Sequence, residues 1–281
     1  MKQQHNILVL GGTGKTGRRV ADLLQQKNQH VRIGSRSQDP PFDWQDPATW
    51  TAALEGMDRV YISYHPDLAV PGAYEAITGL VASAKKAGVQ KLVLLSGKGE
   101  REAERCEDVV ATSGLDYTLV RASWFNQNFS ESFFLEPVLS GHVAMPMPEA
   151  RIPFVDADDI AEVAVETLLN DAHNGQTYEI SGPRLLTFAE AIDEIAEATG
   201  RPIQFQPVSL EDYAQGMEAQ GVPEPVIWLF KYLFTEVLGN PRNSEVTRDV
   251  AKVLGRPAKD FRTYAREVAA TGAWTPKVTM I

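Results

Sequence analysis

The feature that most constrains this chain is an apolar, strand-like run that ends abruptly in glycines. Ile7-Leu8-Val9-Leu10 leads into Gly11-Gly12-Thr13-Gly14-Lys15-Thr16-Gly17, and an amphipathic helical pattern begins at Arg18. A strand, a tight turn and a helix in this order leave backbone N–H groups at a helix N-terminus, where a diphosphate can bind. Glycines let the backbone approach the phosphates because no Cβ intervenes. The sequence therefore predicts a nucleotide-binding unit at its start.

Two nucleotide motifs compete for this turn. Gly14-Lys15-Thr16 is similar to the end of a triphosphate-binding P-loop, which requires a glycine five residues before Gly14. Val9, inside the predicted strand, occupies that position. The dinucleotide fingerprint fits instead, as Gly12-x-Gly14-x-x-Gly17 or as the short-chain dehydrogenase variant Gly11-x-x-Gly14-x-x-Gly17. The alternative is a glycine turn that closes a strand–helix unit without a ligand.

Composition limits the class of protein and its partners. The 281 residues are 43% hydrophobic, enough for a large α/β domain or a core domain with a smaller lobe. A net charge of −10 disfavours nucleic acid and anionic membranes, because both need a basic face. Cys106 is the single cysteine, which excludes an intrachain disulfide and fits a reducing compartment. Val226–Phe234 is apolar but short and contains Lys231. We therefore expect a cytoplasmic monomer or homodimer without membrane or nucleic-acid partners.

Strand and helix patterns alternate through the first half of the chain. This alternation predicts an α/β fold with a Rossmann-type doubly wound parallel sheet. The nearly all-apolar Lys91–Ser96 run is typical of a central parallel strand that is buried on both faces. Further strands are predicted at His30–Ser35, Asp58–Ser63, Tyr117–Arg121 and Thr177–Ile180.

The second half is less regular. Gly141–Pro148 is predicted to be a short extended piece, Thr187-Phe188-Ala189-Glu190 is a capping box, and two or three helical segments are expected after Ser209. We predict that residues 1–150 form a nucleotide-binding domain whose sheet also takes in about 151–182. Residues 183–281 are predicted to form a smaller, mostly helical substrate lobe, interleaved with 125–150.

The end of the second predicted strand indicates which nucleotide binds. NAD enzymes of this fold carry an acidic residue there for the ribose 2′-hydroxyl, whereas this chain has Gly34-Ser35-Arg36-Ser37. Arg36 can pair with a 2′-phosphate and Ser35 can add a hydroxyl, so NADP(H) is favoured over NAD(H). The alternative for Arg36 is a solvated loop arginine. In the following Phe42-Asp43-Trp44, Asp43 either meets the adenine amino group beside the tryptophan ring or caps the next turn.

With these residues placed, the chain resembles the NmrA-like branch of the atypical short-chain dehydrogenase/reductases over about residues 6–266. Within the branch it is most similar to bacterial relatives of the clavine dehydrogenases, through Gly14-Lys15-Thr16, Ser35-Arg36-Ser37 and Phe42-Asp43-Trp44. The segments that carry the resemblance are Gly11–Gly17, Ala87–Ser96, Ser113–Arg121, Trp124-Phe125-x-x-Asn128 and Pro153–Ala161.

The resemblance implies a cofactor site. Arg36 would hold the 2′-phosphate, and Asp43 with Trp44 the adenine. Ser63 and Tyr64 would line the adenosine ribose, although a loop tyrosine that covers apolar surface is an alternative for Tyr64. The other implied contacts are, for the diphosphate, Gly11, Gly12, Thr13, Gly14, Lys15, Thr16 and Gly17; for the nicotinamide ribose, Ser96 and Gly97; and for the nicotinamide, Ala122, Ser123, Trp124 and Phe125.

The usual catalytic pair of this superfamily is missing. In Tyr-x-x-x-Lys the lysine lowers the tyrosine pKa so that it can act as an acid, but none of the eight tyrosines is followed by such a lysine. Tyr117 with Arg121 comes nearest, yet these residues are predicted on a strand, about 13 Å apart. No histidine or cysteine spacing predicts a metal site. The catalytic group is therefore unknown, and the candidates are Ser96, Lys98, Tyr64 and His142.

Two classes of function remain open. In the first, the protein is an NADPH-dependent oxidoreductase that reduces a small activated electrophile, such as an imine, iminium, quinone or carbonyl compound. In the second, it is a non-catalytic NAD(P)-sensing regulatory protein. Aromatic side chains around the nicotinamide would favour the first class, and aromatics that only pack the lobes would favour the second. The predicted substrate pocket comprises Trp124, Phe125, Asn128, Phe129, Trp228 and Tyr232.

Overall fold

The computed structural model describes residues 4–276, in which strands and helices alternate from the start. The strands are β1 (Asn6–Leu10), β2 (His30–Gly34), β3 (Arg59–Ile62), β4 (Lys91–Gly97), β5 (Asp116–Ala122), β6 (His142–Met145), β7 (Gln176–Ile180) and β8 (Gln204–Pro207). The helices are α1 (Lys15–Gln26), α2 (Trp50–Leu54), α3 (Ala73–Ala87), α4 (Arg101–Ala111), α5 (Asn128–Glu131), α6 (Leu135–Ser140), α7 (Ala157–Leu169), α8 (Phe188–Thr199), α9 (Leu210–Ala219), α10 (Glu224–Tyr232), α11 (Asp249–Leu254) and α12 (Phe261–Ala270).

Six of the described strands form one parallel sheet in the order β2-β1-β3-β4-β5-β7. The predicted Rossmann-type α/β fold is thereby confirmed. From β1 the chain crosses to β2 on one side in the sheet, and from β3 it continues to β4 on the other side. The strand order therefore reverses beside β1, at the topological switch point where this fold binds ligands. β3 is buried along its whole length, as expected for a central strand with helices on both faces.

Contacts divide the chain into two compact units. The first unit comprises residues 4–122, Ala157–Ile180 and Asp249–Arg256, and it contains the six-stranded sheet. Its larger apolar cluster packs one sheet face, through Leu8, Val60 and Leu92, against α2, α3 and α4. Tyr61 alternates with Val60 along β3 and donates its hydroxyl to Thr16 of α1 at 3.0 Å. α1 therefore covers the opposite face.

The second unit comprises residues 123–156, 181–248 and 257–276. Its core is rich in aromatic side chains, and β6 pairs in parallel with β8 beside it. The predicted capping box is present, since the Thr187 hydroxyl accepts from Glu190 N at 3.1 Å and the Glu190 carboxylate accepts from Thr187 N at 2.7 Å. The central aromatic members of this core are Phe129, Phe134, Phe154, Phe188, Phe234, Phe261 and Tyr264.

Two sequence predictions for the second half have different outcomes. The extended piece at Gly141–Pro148 is confirmed as β6. The expectation of two or three helical segments after Ser209 is too low, because α9, α10, α11 and α12 follow together with a π-helical turn at Leu233–Val237. The predicted domain boundaries stay predictions, and their last residues, 277–281, lie outside the described chain.

Candidate functional site

The glycine turn after β1 has the geometry that its sequence requires. Gly11 has a φ of +68°, a left-handed conformation that favours glycine. Gly14 N donates to Gly11 O at 2.8 Å and closes the turn. A Cβ at Gly17 would lie 2.1 Å from Gly11 O, and one at Gly12 2.7 Å from Ile33 Cγ2. α1 follows with Gly14 as its N-cap, and no side chain bonds to the cap position. The turn thus presents a helix N-terminus that suits a diphosphate.

The segment after β2 carries an exposed cation where NAD enzymes carry an acid. The guanidinium of Arg36 has no hydrogen bond or ion pair with any of residues 4–276. Beside it, Ser35 Oγ and Ser37 Oγ lie 3.2 Å apart. Because no group of the described residues pairs with this guanidinium, it is available to form an ion pair with a phosphate.

Some of the residues predicted to contact the adenosine lie next to each other. The Trp44 and Tyr64 rings lie 4.8 Å apart between their centroids, so two predicted adenosine contacts share one aromatic surface. Burial raises the pKa of Tyr64, which keeps its phenol protonated. Asp43, in contrast, accepts from Gln45 N at 3.0 Å through its carboxylate, which is the turn-capping alternative for this residue. The backbone of Gly11 also lies close to Ser63, another residue predicted at the adenosine ribose, because a Cβ at Gly11 would be 2.9 Å from Ser63 O.

The carboxyl ends of β4 and β5 bring the residues predicted at the nicotinamide ribose next to Ala122, which was predicted at the nicotinamide. Gly97 pairs with Ala122, and Lys98 N donates to Ala122 O at 2.9 Å. Ser96 is 5% exposed, and its Oγ has no hydrogen-bond partner among the described residues. A buried hydroxyl without a partner is costly, and a ligand hydroxyl would satisfy it. Lys98 is also buried, with Nζ 3.7 Å from a Glu179 carboxylate oxygen.

The second unit holds the remaining predicted residues, and most of the aromatics pack its core. Trp124 lies among Phe134, Phe188 and Phe234, with ring centroids 5.8–6.5 Å apart. Its indole Nε1 is buried without a hydrogen-bond partner in the described chain. Ser123 and Phe125 flank it and are partly exposed.

The four other pocket candidates differ sharply in exposure. Phe129 has no exposed surface, so the structure makes it a core residue, which corrects its assignment to the substrate pocket. Asn128 is 8% exposed. Trp228 is 43% exposed and stacks on Tyr232 with ring centroids 5.6 Å apart. Of the aromatic candidates, this stacked pair on α10 offers the most accessible surface.

The other candidates for chemistry are also located. His142 lies in the predicted extended piece and begins β6; it is exposed, and its Nε2 lies 2.7 Å from Gln206 Oε1. The pairing of β6 with the distant β8 is not contained in a local sequence pattern. Residues 4–276 contain no group of three or more side chains that could hold a metal ion. In the same range no helix has the length and apolarity needed to cross a membrane.

The structure adds a pair of acidic residues that the sequence did not indicate. Asp67 follows β3 and Glu100 follows β4, and burial together with the negative charge of Asp67 raises the pKa of the Glu100 carboxyl. The available signal was positional, because both residues come shortly after strands that parallel pairing would make neighbours.

A parallel sheet with a glycine turn at its switch point defines a Rossmann-type α/β protein. The profile of the NmrA-like family matches residues 3–245, and the chain belongs to this family. It is 32% identical to an NAD(P)H azoreductase of Xenophilus azovorans, over 94% of this chain and 98% of that one. It is 30% identical to prestalk A differentiation protein A of Dictyostelium discoideum, over 97% and 96%. The structure of a Citrobacter sp. triphenylmethane reductase complexed with NADP(H) superposes with a TM-score of 0.74 at 20% identity, covering 94% and 99% of the two chains.

Proposed function

We propose that this protein is an NADPH-dependent oxidoreductase that reduces a small activated electrophile by hydride transfer. The observation that carries the proposal is a continuous set of cofactor-compatible groups along one edge of the sheet. An uncapped glycine turn follows β1, an unpaired Arg36 follows β2, and an unpartnered Ser96 hydroxyl ends β4. The names of the azoreductase and triphenylmethane reductase relatives support the same class of reaction.

The residues divide the work of holding the cofactor. N–H groups of the glycine turn would bind the diphosphate, and Arg36 with Ser35 would bind a 2′-phosphate, which favours NADP(H) over NAD(H). Ser96 would accept or donate a hydrogen bond at the nicotinamide ribose. The bound nicotinamide supplies the hydride. The protein then has to orient the acceptor and exclude water, which suffices for substrates that are already strong electrophiles, such as iminium ions and quinones.

A small molecule is therefore the expected partner, and Trp228 with Tyr232 offers an accessible aromatic surface for it. Imines, iminium ions, quinones and carbonyl compounds are the proposed substrate classes. Monomer or homodimer, cytoplasmic location and the lack of a nucleic-acid partner stay predictions from composition.

A second candidate function is an NAD(P)-sensing regulator without turnover. The full burial of Phe129 in the aromatic core and the packing of Trp124 against that core favour this function, since both rings contact other core side chains. One relative also carries a developmental name rather than an enzymatic one.

Turnover assays separate these two functions. NADPH oxidation would be followed by absorbance with cyclic imines, quinones, aldehydes and azo dyes, and we expect catalysis with at least one of these classes. Tight NADPH binding without turnover on any class would favour the sensor.

Ser96→Ala tests the ribose assignment independently of turnover. We expect the free protein to keep its stability or to gain up to about 1 kcal/mol, because a buried unsatisfied hydroxyl is removed. NADPH affinity should fall about three- to tenfold, the value of one hydrogen bond. Thermal unfolding and fluorescence titration measure the two effects.

Ser130→Ala is the matched control, because the Ser130 hydroxyl accepts from buried Tyr264 at 2.8 Å. That variant should lose about 1–2 kcal/mol of stability and keep its NADPH affinity. Unchanged NADPH affinity in Ser96→Ala would contradict the ribose assignment.

A further inference from the structure

A phenol hydroxyl is buried between the six-stranded sheet and α1. Tyr61 lies on β3, has no exposed surface, and is in register with Val9 of β1 and Val93 of β4. The buried face of α1 is also largely apolar, with Val20 and Leu24 among its members. A phenylalanine would fill the same space without a polar group to satisfy. The Tyr61 hydroxyl therefore requires a specific reason to be there.

Thr16, in the first turn of α1, accepts this hydroxyl. Tyr61 Oη donates to Thr16 Oγ1 at 3.0 Å, and neither hydroxyl has another hydrogen-bond partner within residues 4–276. Thr16 is 3% exposed, so the bond lies in a low-dielectric interior where it is stronger than at the surface. Burial raises the pKa of Tyr61, which keeps the phenol protonated and able to donate. The bond therefore ties the start of the helix to the central strand.

The first turn of α1 is also the part of the helix that suits a diphosphate. The hydrogen-bond ladder of the helix opens with Arg18 N donating to Gly14 O at 3.1 Å, so the N–H groups of Thr16 and Gly17 have no partner within the helix. Gly14, the N-cap residue, has no side chain that could bond to them. Thr16 thus offers its N–H to an anion while its side chain is bonded to β3.

Apolar packing alone does not fix where this turn lies relative to the sheet. Burial of apolar side chains is non-directional, whereas a hydrogen bond requires a defined distance and angle. The tolerance is small, because a Cβ at Gly17 would lie 2.1 Å from Gly11 O. Another side-chain contact of the helix, Arg19 Nε to Asp158 Oδ1 at 2.6 Å, joins α1 to α7 rather than to the sheet. The Asp158 side chain is 45% exposed, and such ion pairs contribute little to stability.

We propose that Tyr61 is a positioning residue of the cofactor site, which acts through Thr16 to hold the first turn of α1 in the orientation that binds the dinucleotide diphosphate. This inference rests on the proposed function, because it requires that the glycine turn holds a nicotinamide dinucleotide. Tyr61 has no exposed surface, so it acts through Thr16 and not by contact with the cofactor. NADPH and NADH share the diphosphate, and both therefore depend on Tyr61 to the same degree.

Tyr61→Phe tests this role, because it removes the hydroxyl and keeps the buried ring. Fluorescence titration should find that the affinities for NADPH and NADH fall by the same factor, about three- to tenfold, the value of one hydrogen bond. The third ligand is adenosine 2′-monophosphate, measured by competition, which carries the adenine and a 2′-phosphate but no diphosphate. Its affinity should change by less than about twofold, since it makes no use of the helix N-terminus. A merely structural role would lower the unfolding temperature without this pattern among the ligands.

Changes at Thr16 show whether the two hydroxyls act as one unit. Thr16→Val removes the acceptor and should lower both dinucleotide affinities by about the same factor as Tyr61→Phe. The double variant should bind no more weakly than either single variant, because both changes remove the same bond. Thr16→Ser keeps the hydroxyl and should keep the affinity. The two Thr16 variants also serve if Tyr61→Phe does not fold.

Tyr264→Phe is the matched control, since Tyr264 is a buried tyrosine that donates its hydroxyl to Ser130 Oγ at 2.8 Å in the second unit. It should lower the unfolding temperature and leave all three affinities unchanged. Unchanged dinucleotide affinity in Tyr61→Phe would overturn the proposal, and so would additive losses in the double variant. If the unmodified protein bound neither dinucleotide, the proposed function would fail and the role of Tyr61 with it.

Discussion

Replacing Gly14 by valine should abolish nucleotide binding in a chain that still folds. The backbone at Gly14 is extended, with φ −81° and ψ −179°, so a β-branched residue can adopt it. Its Cβ would meet one neighbour, Gly11 O at 3.2 Å, which a small shift relieves. The valine methyl groups would then occupy the space over the first turn of α1. We expect NADPH affinity to fall more than about 100-fold, because the diphosphate loses its close approach to the backbone.

Gly216→Val is the matched control for this variant. Gly216 lies within α9, and a Cβ there meets nothing within 4 Å. Circular dichroism and thermal unfolding should find both variants folded, and titration should find NADPH affinity lost only in Gly14→Val. Retained binding in Gly14→Val would show that the turn does not hold the diphosphate.

Arg36→Glu should convert the proposed preference for NADPH into a preference for NADH. A charge-assisted hydrogen bond to a phosphate is worth about 1.5–3 kcal/mol, and the glutamate adds repulsion. NADPH affinity should therefore fall about 100-fold or more, while NADH affinity should change by a few-fold at most or increase, since glutamate can accept from the ribose 2′-hydroxyl.

Arg266, which is exposed on α12, provides the control for the charge change. The same substitution there changes the net charge of the protein equally but removes no predicted contact with the cofactor. Arg266→Glu should leave both affinities nearly unchanged. Equal losses of NADPH and NADH affinity in Arg36→Glu would contradict the assignment to a 2′-phosphate. Titrations at two salt concentrations strengthen the comparison, because the loss of an exposed charge contact shrinks as salt screens it.

The first unit could be predicted well because its signals are local. An apolar run that breaks into glycines specifies β1, the turn and α1 within a short stretch, and Ser35-Arg36-Ser37 marks the end of β2 without reference to distant residues. Alternation of strands and helices then permits few topologies. These signals were sufficient to predict the Rossmann-type sheet and the side of it on which the candidate cofactor residues lie.

The remaining features depend on contacts between residues far apart in sequence. His142 lies in a segment that was predicted to be extended, but the sequence around it does not identify β8 as its partner strand. Phe129 was predicted in the substrate pocket because it is aromatic, but the sequence does not determine which residues surround it. Glu100 is buried, and its pKa is raised by that burial and by the charge of Asp67 from another loop, whereas neither loop alone signals a buried carboxyl. Side-chain environment, rather than element type, was the missing information.

The return of Asp249–Arg256 to the first unit has a consequence for how the protein is made. α7, β7 and α11 belong with a sheet whose first strands emerge from the ribosome much earlier. Asp249 even accepts the N–H of Glu179 at 2.8 Å through its carboxylate, so β7 is completed by a residue near the end of the chain. A nascent chain that stops at residue 180 therefore lacks part of the first unit, which is complete only once residue 256 has been synthesised. A single cut between residues 181 and 248 should accordingly leave neither unit complete in one fragment.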